Sequence, residues 1–317
     1  MTSPSTMPMT ADPTLSPSAG AVASTAADVS RLIRPRIAVM VLATVATAAW
    51  LTAGQSLNGA ALAVVLLGTL LVAASSSIAN QIVERDTDRL MPRTAARPLV
   101  TGRMGVRDAW ILSAGLLVAG LVITVAGGGW AASAASLSTW LLYVLVYTPL
   151  KRVTPLNTAV GAIAGALPVA IGWCAAGGPG RLLAGDAASG IAAGALATVL
   201  YLWQFPHFMA IAWLYRRQYS DAGLKMLTVV DPGGLRAAGQ ALAAALAMVP
   251  VSLLLAVPSA SVWMFLVAAT ASVAYVAATM RFAVARDDAS ARGLLMVSLA
   301  SLAAILVAAV ACGGPTS

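Results

Sequence analysis

Charge is what this chain most lacks. Asp, Glu, Lys and Arg make up 9% of its 317 residues, against about a quarter in an ordinary soluble domain. A soluble enzyme, a disordered chain and a nucleic-acid binder all need more polar surface than this. Two cysteines exclude a disulfide framework, and with a single histidine they exclude an all-Cys/His zinc cage. In their place stands apolar sequence, 60% of the chain, with a mean hydropathy of +0.87.

A helix needs about 20 apolar residues to cross a bilayer. Nine runs of that kind occur, at 37–54, 60–80, 109–127, 131–148, 157–176, 188–210, 237–257, 260–280 and 293–312. They predict an all-α polytopic membrane protein, a nine-helix bundle forming one domain over 28–317. Residues 1–27 are rich in Ser, Thr, Ala and Pro and hold no Lys or Arg. That fits neither a transit peptide nor a signal peptide. It reads as a disordered cytoplasmic tail and argues for a bacterial inner membrane.

With nine spans, 18 of the 19 basic residues fall on one side, leaving Arg181 alone on the other. The positive-inside rule then puts the N-terminus in the cytoplasm and the C-terminus outside. This sidedness accounts for the high net charge of +8 without a polyanionic partner. Outside the tail, nine of the 11 acidic residues share the basic side, and three of them, Glu84, Asp86 and Asp88, close the second span.

If the helix continues through this stretch, Asn80, Glu84 and Asp88 form one stripe, since residues four apart are neighbours, while Asp86 points elsewhere. An Asn and two carboxylates are hard oxygen donors of the kind that hold Mg²⁺ and share it with substrate phosphates. Charges that merely end a span at the interface are the plainer alternative. Arg93 and Arg97 then follow among prolines, and a guanidinium grips phosphate oxygens as a fork. Metal-binding carboxylates beside phosphate-binding arginines, in an apolar setting, point to a polyprenyl diphosphate.

The run Asn80-x3-Glu84-x3-Asp88, followed by Arg93-Thr94-x2-Arg97-Pro98-Leu99, resembles the first signature of the UbiA prenyltransferase superfamily, and most closely its haem-prenylating branch. Glu84 stands where Asp is commoner. The stretch Tyr147-Thr148-Pro149-Leu150-Lys151-Arg152, and the Gly161, Gly165, Pro168 and Gly172-Trp173 after it, are similar to the family's middle segment. Lys151 and Arg152 read either as phosphate ligands or as topological anchors, and Gly161 and Gly165 as a close-packing pair. The string Trp203-Gln204-Phe205-Pro206-His207-Phe208 resembles the haem-branch signature. There His207 is either a hydrogen-bonded structural residue or a porphyrin contact, as iron ligand or propionate partner.

A last segment, Arg216-Arg217-Gln218-Tyr219-Ser220-Asp221, departs from the family. Arg217 and Gln218 occupy the usual acidic pair, and Asp221 comes one turn later, so the second metal site is in question. The last three spans offer no chemical motif. The resemblance implies a UbiA-type bundle that transfers a farnesyl group from farnesyl diphosphate to haem b, giving haem O, with Mg²⁺ as cofactor. It implies Asn80, Glu84, Asp88, Arg93 and Arg97 as catalytic residues, and Lys151, Arg152, His207, Arg216, Arg217, Tyr219 and Asp221 as substrate contacts. A downstream haem-modifying enzyme or terminal oxidase assembly is the implied partner beyond the bilayer. A quinone precursor or chlorophyllide as acceptor, and a non-enzymatic transporter or haem-delivery scaffold, are the competing readings.

The charge partition makes a direct prediction. A reporter fused at the C-terminus and one inserted in the 85–107 loop should lie in opposite compartments. Finding both on the same side would remove an odd number of spans from the reading.

Overall fold

The computed structural model describes residues 27–312, so all but the last residue of the expected tail lies outside the described residues. Every regular element among them is helical. This follows from the solvent: a bilayer offers no partner for a backbone N–H or C=O, and a helix satisfies both internally. Eight helices are long and apolar enough to cross. They are α1 (Pro35–Ala53), α2 (Gly59–Val83), α3 (Val106–Leu150), α4 (Asn157–Ala175), α5 (Ala187–Leu214), α6 (Leu235–Leu254), α7 (Val262–Ala285) and α8 (Asp288–Cys312).

Helix α3 is 45 residues long, which would make a straight rod of roughly 68 Å at ~1.5 Å per residue. It is not straight. Gly129 has φ 77° and ψ 178°, backbone that essentially only glycine adopts. The Ser133 hydroxyl donates to the Leu121 carbonyl at 3.1 Å, although twelve residues of straight helix span about 18 Å. The Ser75 hydroxyl meets both the Ser113 carbonyl at 2.7 Å and the Trp140 indole N–H at 3.0 Å. Helix α3 therefore doubles back at Gly129 into two antiparallel arms, and the expected spans 109–127 and 131–148 are these arms. The two arms meet at Gly129 with no loop between them, so they stand together as one of the eight long apolar helices.

Small residues set the closest approaches. A Cβ on Gly68 would meet the Gly120 carbonyl at 2.7 Å, and one on Gly120 would meet the Gly68 carbonyl at the same distance. Only glycine lets α2 and the first arm of α3 lie backbone to backbone. Gly172 sits against the Val45 carbonyl of α1 in the same way. Gly161 and Gly165, expected to pack helix on helix, instead face side chains, the Tyr147 ring and the Gln204 amide. That amide is held by bonds from its N–H groups to the Ala162 and Leu200 carbonyls, both at 3.0 Å. Around α5, Trp203, Met209, Met248, Tyr275, Phe282 and Leu294 fill the largest core cluster. Cys174 and Cys312 are half-buried and unpaired.

The two ends of the bundle differ in character. At one, polar side chains cap helix starts: Asn58, Asp186 and Ser261 accept the backbone N–H groups of Ala61, Ser189 and Met264. Arg181 sits here, bonded to the Ser56 hydroxyl at 2.9 Å. At the other end the connections between helices are tied to one another. Lys151 reaches Glu84 at 2.7 Å, the Lys225 N–H donates to the Lys151 carbonyl at 2.7 Å, and Arg216 pairs with Asp288 at 2.8 Å.

Gly129→Val should lower the unfolding free energy by about 1–3 kcal/mol through backbone strain alone. Gly115→Ala, in the same helix with open space around the new methyl, should be neutral or stabilise by about 0.5–1 kcal/mol. Denaturant unfolding in mild detergent checks both; equal effects would mean that the reversal does not depend on glycine.

Candidate active site

The basic end gathers around the last turn of α2. That helix ends at Val83, and Glu84 leaves helical geometry with φ −89° and ψ 2° before a five-residue helix, Arg85–Arg89, resumes. The break is slight. Glu84 N–H donates to the Asn80 carbonyl at 2.9 Å, and Asp88 N–H to the Glu84 carbonyl at 2.8 Å. The expected stripe therefore survives the end of the helix: Asn80, Glu84 and Asp88 are buried, and Asp86 is exposed.

Each carboxylate faces a cation from another segment. Glu84 Oε1 accepts from Lys151 Nζ at 2.7 Å, and Asp88 Oδ2 pairs with Arg97. Burial by itself raises the Glu84 carboxyl, but Lys151, joined by Arg34 and Arg97, outweighs it and holds the group below the usual carboxylate range. Burial likewise works against the Lys151 charge, and Glu84 more than restores it. Asp88 goes the other way. Its burial, joined by repulsion from Glu84, outweighs Arg97 and pushes it up. Arg97 is held below its ordinary value by burial and by neighbouring Arg34.

Two oxygens on the stripe are orphans. Asn80 Nδ2 donates to the Thr148 hydroxyl at 3.0 Å, yet Asn80 Oδ1 is buried with no partner, as is Asp88 Oδ1. Buried acceptors left bare cost free energy. Two bare hard oxygens on one stripe, with the Glu84 carboxylate between them, match the donor chemistry of Mg²⁺. Among the described residues no three His, Cys, Asp or Glu side chains are placed together so as to hold a metal ion, so a cation site here depends on Asn80.

The loop after α2 is folded by its own side chains. Thr94 donates its hydroxyl to the Asp88 carbonyl at 2.8 Å, which bends the chain back so that Arg97 reaches Asp88. Pro98 begins a short helix, and Leu99 is buried against Leu32, Ile78 and Ala109. Arg93 donates to the Tyr219 hydroxyl at 3.0 Å and lies over the rings of Tyr215 and Tyr219, 4.9 and 5.2 Å from their centroids. Lys151 sits 4.3 Å from the centroid of Tyr147.

The structure thus brings together Asn80, Glu84, Asp88, Arg97 and Lys151, with Arg93 and Tyr219 on an adjoining arm. It sets others apart. Arg152 donates to the Val83 carbonyl at 3.2 Å and so caps α2. Arg216 is taken up by Asp288 and the Trp213 carbonyl. Arg217 and Asp221 are exposed and make no ion pair among the described residues. His207 lies inside α5, bonded to Ser298.

Sequence reasoning missed Arg34, Asn157 and Tyr215. Arg34 holds a left-handed backbone, φ 49°, just before Pro35, and its charge acts on Glu84, Asp88 and Arg97. Its segment is held down by Gln81, whose amide donates to the Leu32 carbonyl at 2.9 Å, and by the Asp28–Arg103 pair at 2.7 Å. Asn157 donates to the Thr154 and Lys225 carbonyls at 2.7 and 3.1 Å and keeps a buried, bare Oδ1. The available signal was an Asn beginning α4, the same residue type that opens the α2 stripe.

Residues 41–302 match the UbiA prenyltransferase family. The chain is 41% identical over 289 residues to a protoheme IX farnesyltransferase of Rhodopirellula baltica, covering 87% of this chain and 96% of that protein. It is 34% identical to one from Opitutus terrae, covering 89% and 93%. A UbiA homolog from Aeropyrum pernix K1 shares the fold with a TM-score of 0.68 at 21% identity, covering 85% of this chain and 97% of its own. A UbiA homolog from Archaeoglobus fulgidus bound to GPP and Mg²⁺ gives a TM-score of 0.63 at 19% identity, covering 90% and 99%.

Removing one member of a buried ion pair strands the other, at a cost of about 3–5 kcal/mol. Lys151→Met should therefore destabilise the protein by about that much. Adding Glu84→Gln should recover most of it. A double-mutant cycle on unfolding in detergent measures the coupling, and additive effects would show that the two charges are solvated independently.

Proposed function

The chain belongs to the UbiA prenyltransferase family, and from that we propose that it is a protohaem IX farnesyltransferase, converting haem b, farnesyl diphosphate and water to haem O and diphosphate. One observation carries the reading. A stripe of Asn80, Glu84 and Asp88, with two bare buried oxygens, meets Arg97 and Lys151 where an apolar helix reaches the membrane boundary. The identity to protoheme IX farnesyltransferases over most of the chain supports haem as the acceptor.

The protein is a multi-pass membrane enzyme. By the positive-inside rule its basic end, and with it the site, faces the cytoplasm of a bacterial inner membrane. Asn80, Glu84 and Asp88 would hold Mg²⁺, which when bound supplies positive charge to the diphosphate as it departs. Arg97 and Lys151 stand beside these carboxylates and would bind the phosphate oxygens, with Arg93 held by Tyr219 at the rim. Loss of diphosphate leaves an allylic farnesyl cation. The apolar bundle interior keeps water from it until the haem vinyl carbon attacks, and water then adds to the resulting porphyrin-stabilised cation. Fixed charges in a dry site act most strongly on the transition state, where the leaving group carries most negative charge. Exposed Asp221, beside Arg217, favours a site with one metal over two.

Expression in a host lacking haem O, followed by mass spectrometry of extracted haems, tests the assignment; prenylated quinone precursor in place of haem O would overturn it. Glu84→Gln and Asp88→Asn should each cut turnover by about 10²-fold or more with membrane insertion intact. Asp86→Asn should be mild, and Asp221→Asn should leave the magnesium dependence of the rate unchanged. A loss at Asp86 equal to that at Asp88 would contradict the stripe.

A further inference from the structure

Two tyrosines just beyond α5 meet an arginine from the loop after α2. Helix α5 ends at Leu214, Tyr215 follows it, and a six-residue helix, Arg216–Asp221, resumes directly. The Tyr219 N–H donates to the Tyr215 carbonyl at 3.0 Å, so one helical turn puts the two rings on the same side. Their centroids are 6.4 Å apart. Tyr219 is buried among Met91, Ala212, Leu224 and Met226, and Tyr215 packs against that cluster. The short helix is held at both ends. Arg216 pairs with Asp288 of α8, and at the other end Gly223, with φ 70°, turns the chain so that the Leu224 N–H reaches the Tyr219 carbonyl at 2.9 Å.

Arg93 lies on this aromatic shelf. Its guanidinium is 4.9 and 5.2 Å from the two ring centroids and donates to the Tyr219 hydroxyl at 3.0 Å. The loop that carries it is fixed at its base, where the Thr94 hydroxyl donates to the Asp88 carbonyl. The two other cations beside the stripe are held differently. Arg97 faces Asp88 and Lys151 faces Glu84, so a carboxylate already answers each of them. Arg93 enters no ion pair among the described residues. A ring face and a phenol hydroxyl, uncharged at neutral pH, orient a cation without cancelling its charge. Arg93 is exposed and Tyr219 is buried, so a fixed, uncompensated charge stands at the rim of the site.

We propose that Tyr215 and Tyr219 are positioning residues, which hold Arg93 in place with its charge uncompensated so that it captures the diphosphate group of the incoming prenyl substrate. The inference rests on the diphosphate chemistry proposed above and deepens it, and it is independent of the acceptor. Tyr219, which the family resemblance implies as a substrate contact, acts instead through Arg93. A contact made at the rim is made before the chemical step and persists through it. Such uniform binding appears in KM, whereas kcat reports contacts that strengthen only in the transition state. The two tyrosines therefore belong to substrate capture, and Glu84 and Asp88 to turnover.

The test is calorimetric titration of magnesium pyrophosphate into the full-length protein in lipid nanodiscs, with KM and kcat for farnesyl diphosphate measured alongside. Arg93→Gln should weaken pyrophosphate binding and raise KM about 10–100-fold, with kcat changed far less. Tyr219→Phe keeps the ring and its packing but loses the hydrogen bond, and should weaken binding about 3–10-fold. Tyr215→Leu removes one ring face and should weaken binding about 2–5-fold, which Tyr215→Phe restores. In an Arg93→Gln background neither Tyr219→Phe nor Tyr215→Leu should weaken binding further, because a positioning residue acts only through the group it holds. A purely structural contribution would persist in that background. Tyrosine effects that add to that of Arg93→Gln, or a tyrosine variant that lowers kcat and leaves KM unchanged, overturn the proposal. Haem takes no part in pyrophosphate binding. Non-additive effects in a protein that makes no haem O would therefore uphold this inference and overturn the acceptor assignment alone. A wild type that binds no pyrophosphate would overturn the inference together with the diphosphate site.

Discussion

Two carboxylates are buried where an apolar helix runs out, and a buried carboxylate must be answered by a cation. Much of the basic end follows from that constraint. Lys151 comes to Glu84 from the far end of the α3 hairpin, and Arg97 comes to Asp88 from the loop after α2. The Lys225 N–H is in turn fixed to the Lys151 carbonyl, and Asn157 holds the Lys225 carbonyl. Three connections that are distant in sequence are thereby tied to a single helix end. On the proposed reading, the same charges that close this end are the ones a metal diphosphate would engage.

That convergence requires the chain to return to the same side after each excursion. The Gly129 reversal accomplishes this for α3, delivering Tyr147, Thr148 and Lys151 to the end from which Val106 set out. The π-helical segment Leu142–Tyr147 then adjusts the register of the second arm. There the Thr148 hydroxyl accepts the Asn80 amide while donating to the Tyr143 carbonyl at 2.8 Å. Close backbone contact at Gly68 and Gly120 holds the two helices that frame this meeting. Stability and site geometry share these small residues, so packing substitutions far from any charge would disturb the spacing of the carboxylates.

The second half of the bundle carries fewer charges and acts through hydrogen bonds. Pro206 lacks an N–H and leaves the Leu202 carbonyl of α5 without its usual helical partner. Close by, Tyr275 of α7 and Ser298 of α8 supply hydroxyl groups to the Trp203–His207 turn. The two halves thus differ in what ties them together, ion pairs at the charged end of α2 and hydrogen bonds around the Trp203–His207 turn of α5.

Much of this was written in the sequence in local form. The apolar runs specified helices because lipid permits little else, and the four-residue spacing of Asn80, Glu84 and Asp88 specified a stripe because helical periodicity fixes which side chains align. Glycine at 129 marked only a boundary between runs; whether the chain kinked or reversed there was decided by Ser75, which meets both arms at once. Likewise, six basic positions looked equally suited to phosphate, and only the folded chain separated Arg97 and Lys151, which face carboxylates, from Arg152, which caps α2, and Arg216, which pairs with Asp288. A sequence states how much charge a segment carries, but which partner each charge meets depends on segments tens of residues away. Ser298 shows the limit most sharply. It is one serine in an apolar helix, and it meets the one histidine only because α8 packs against α5.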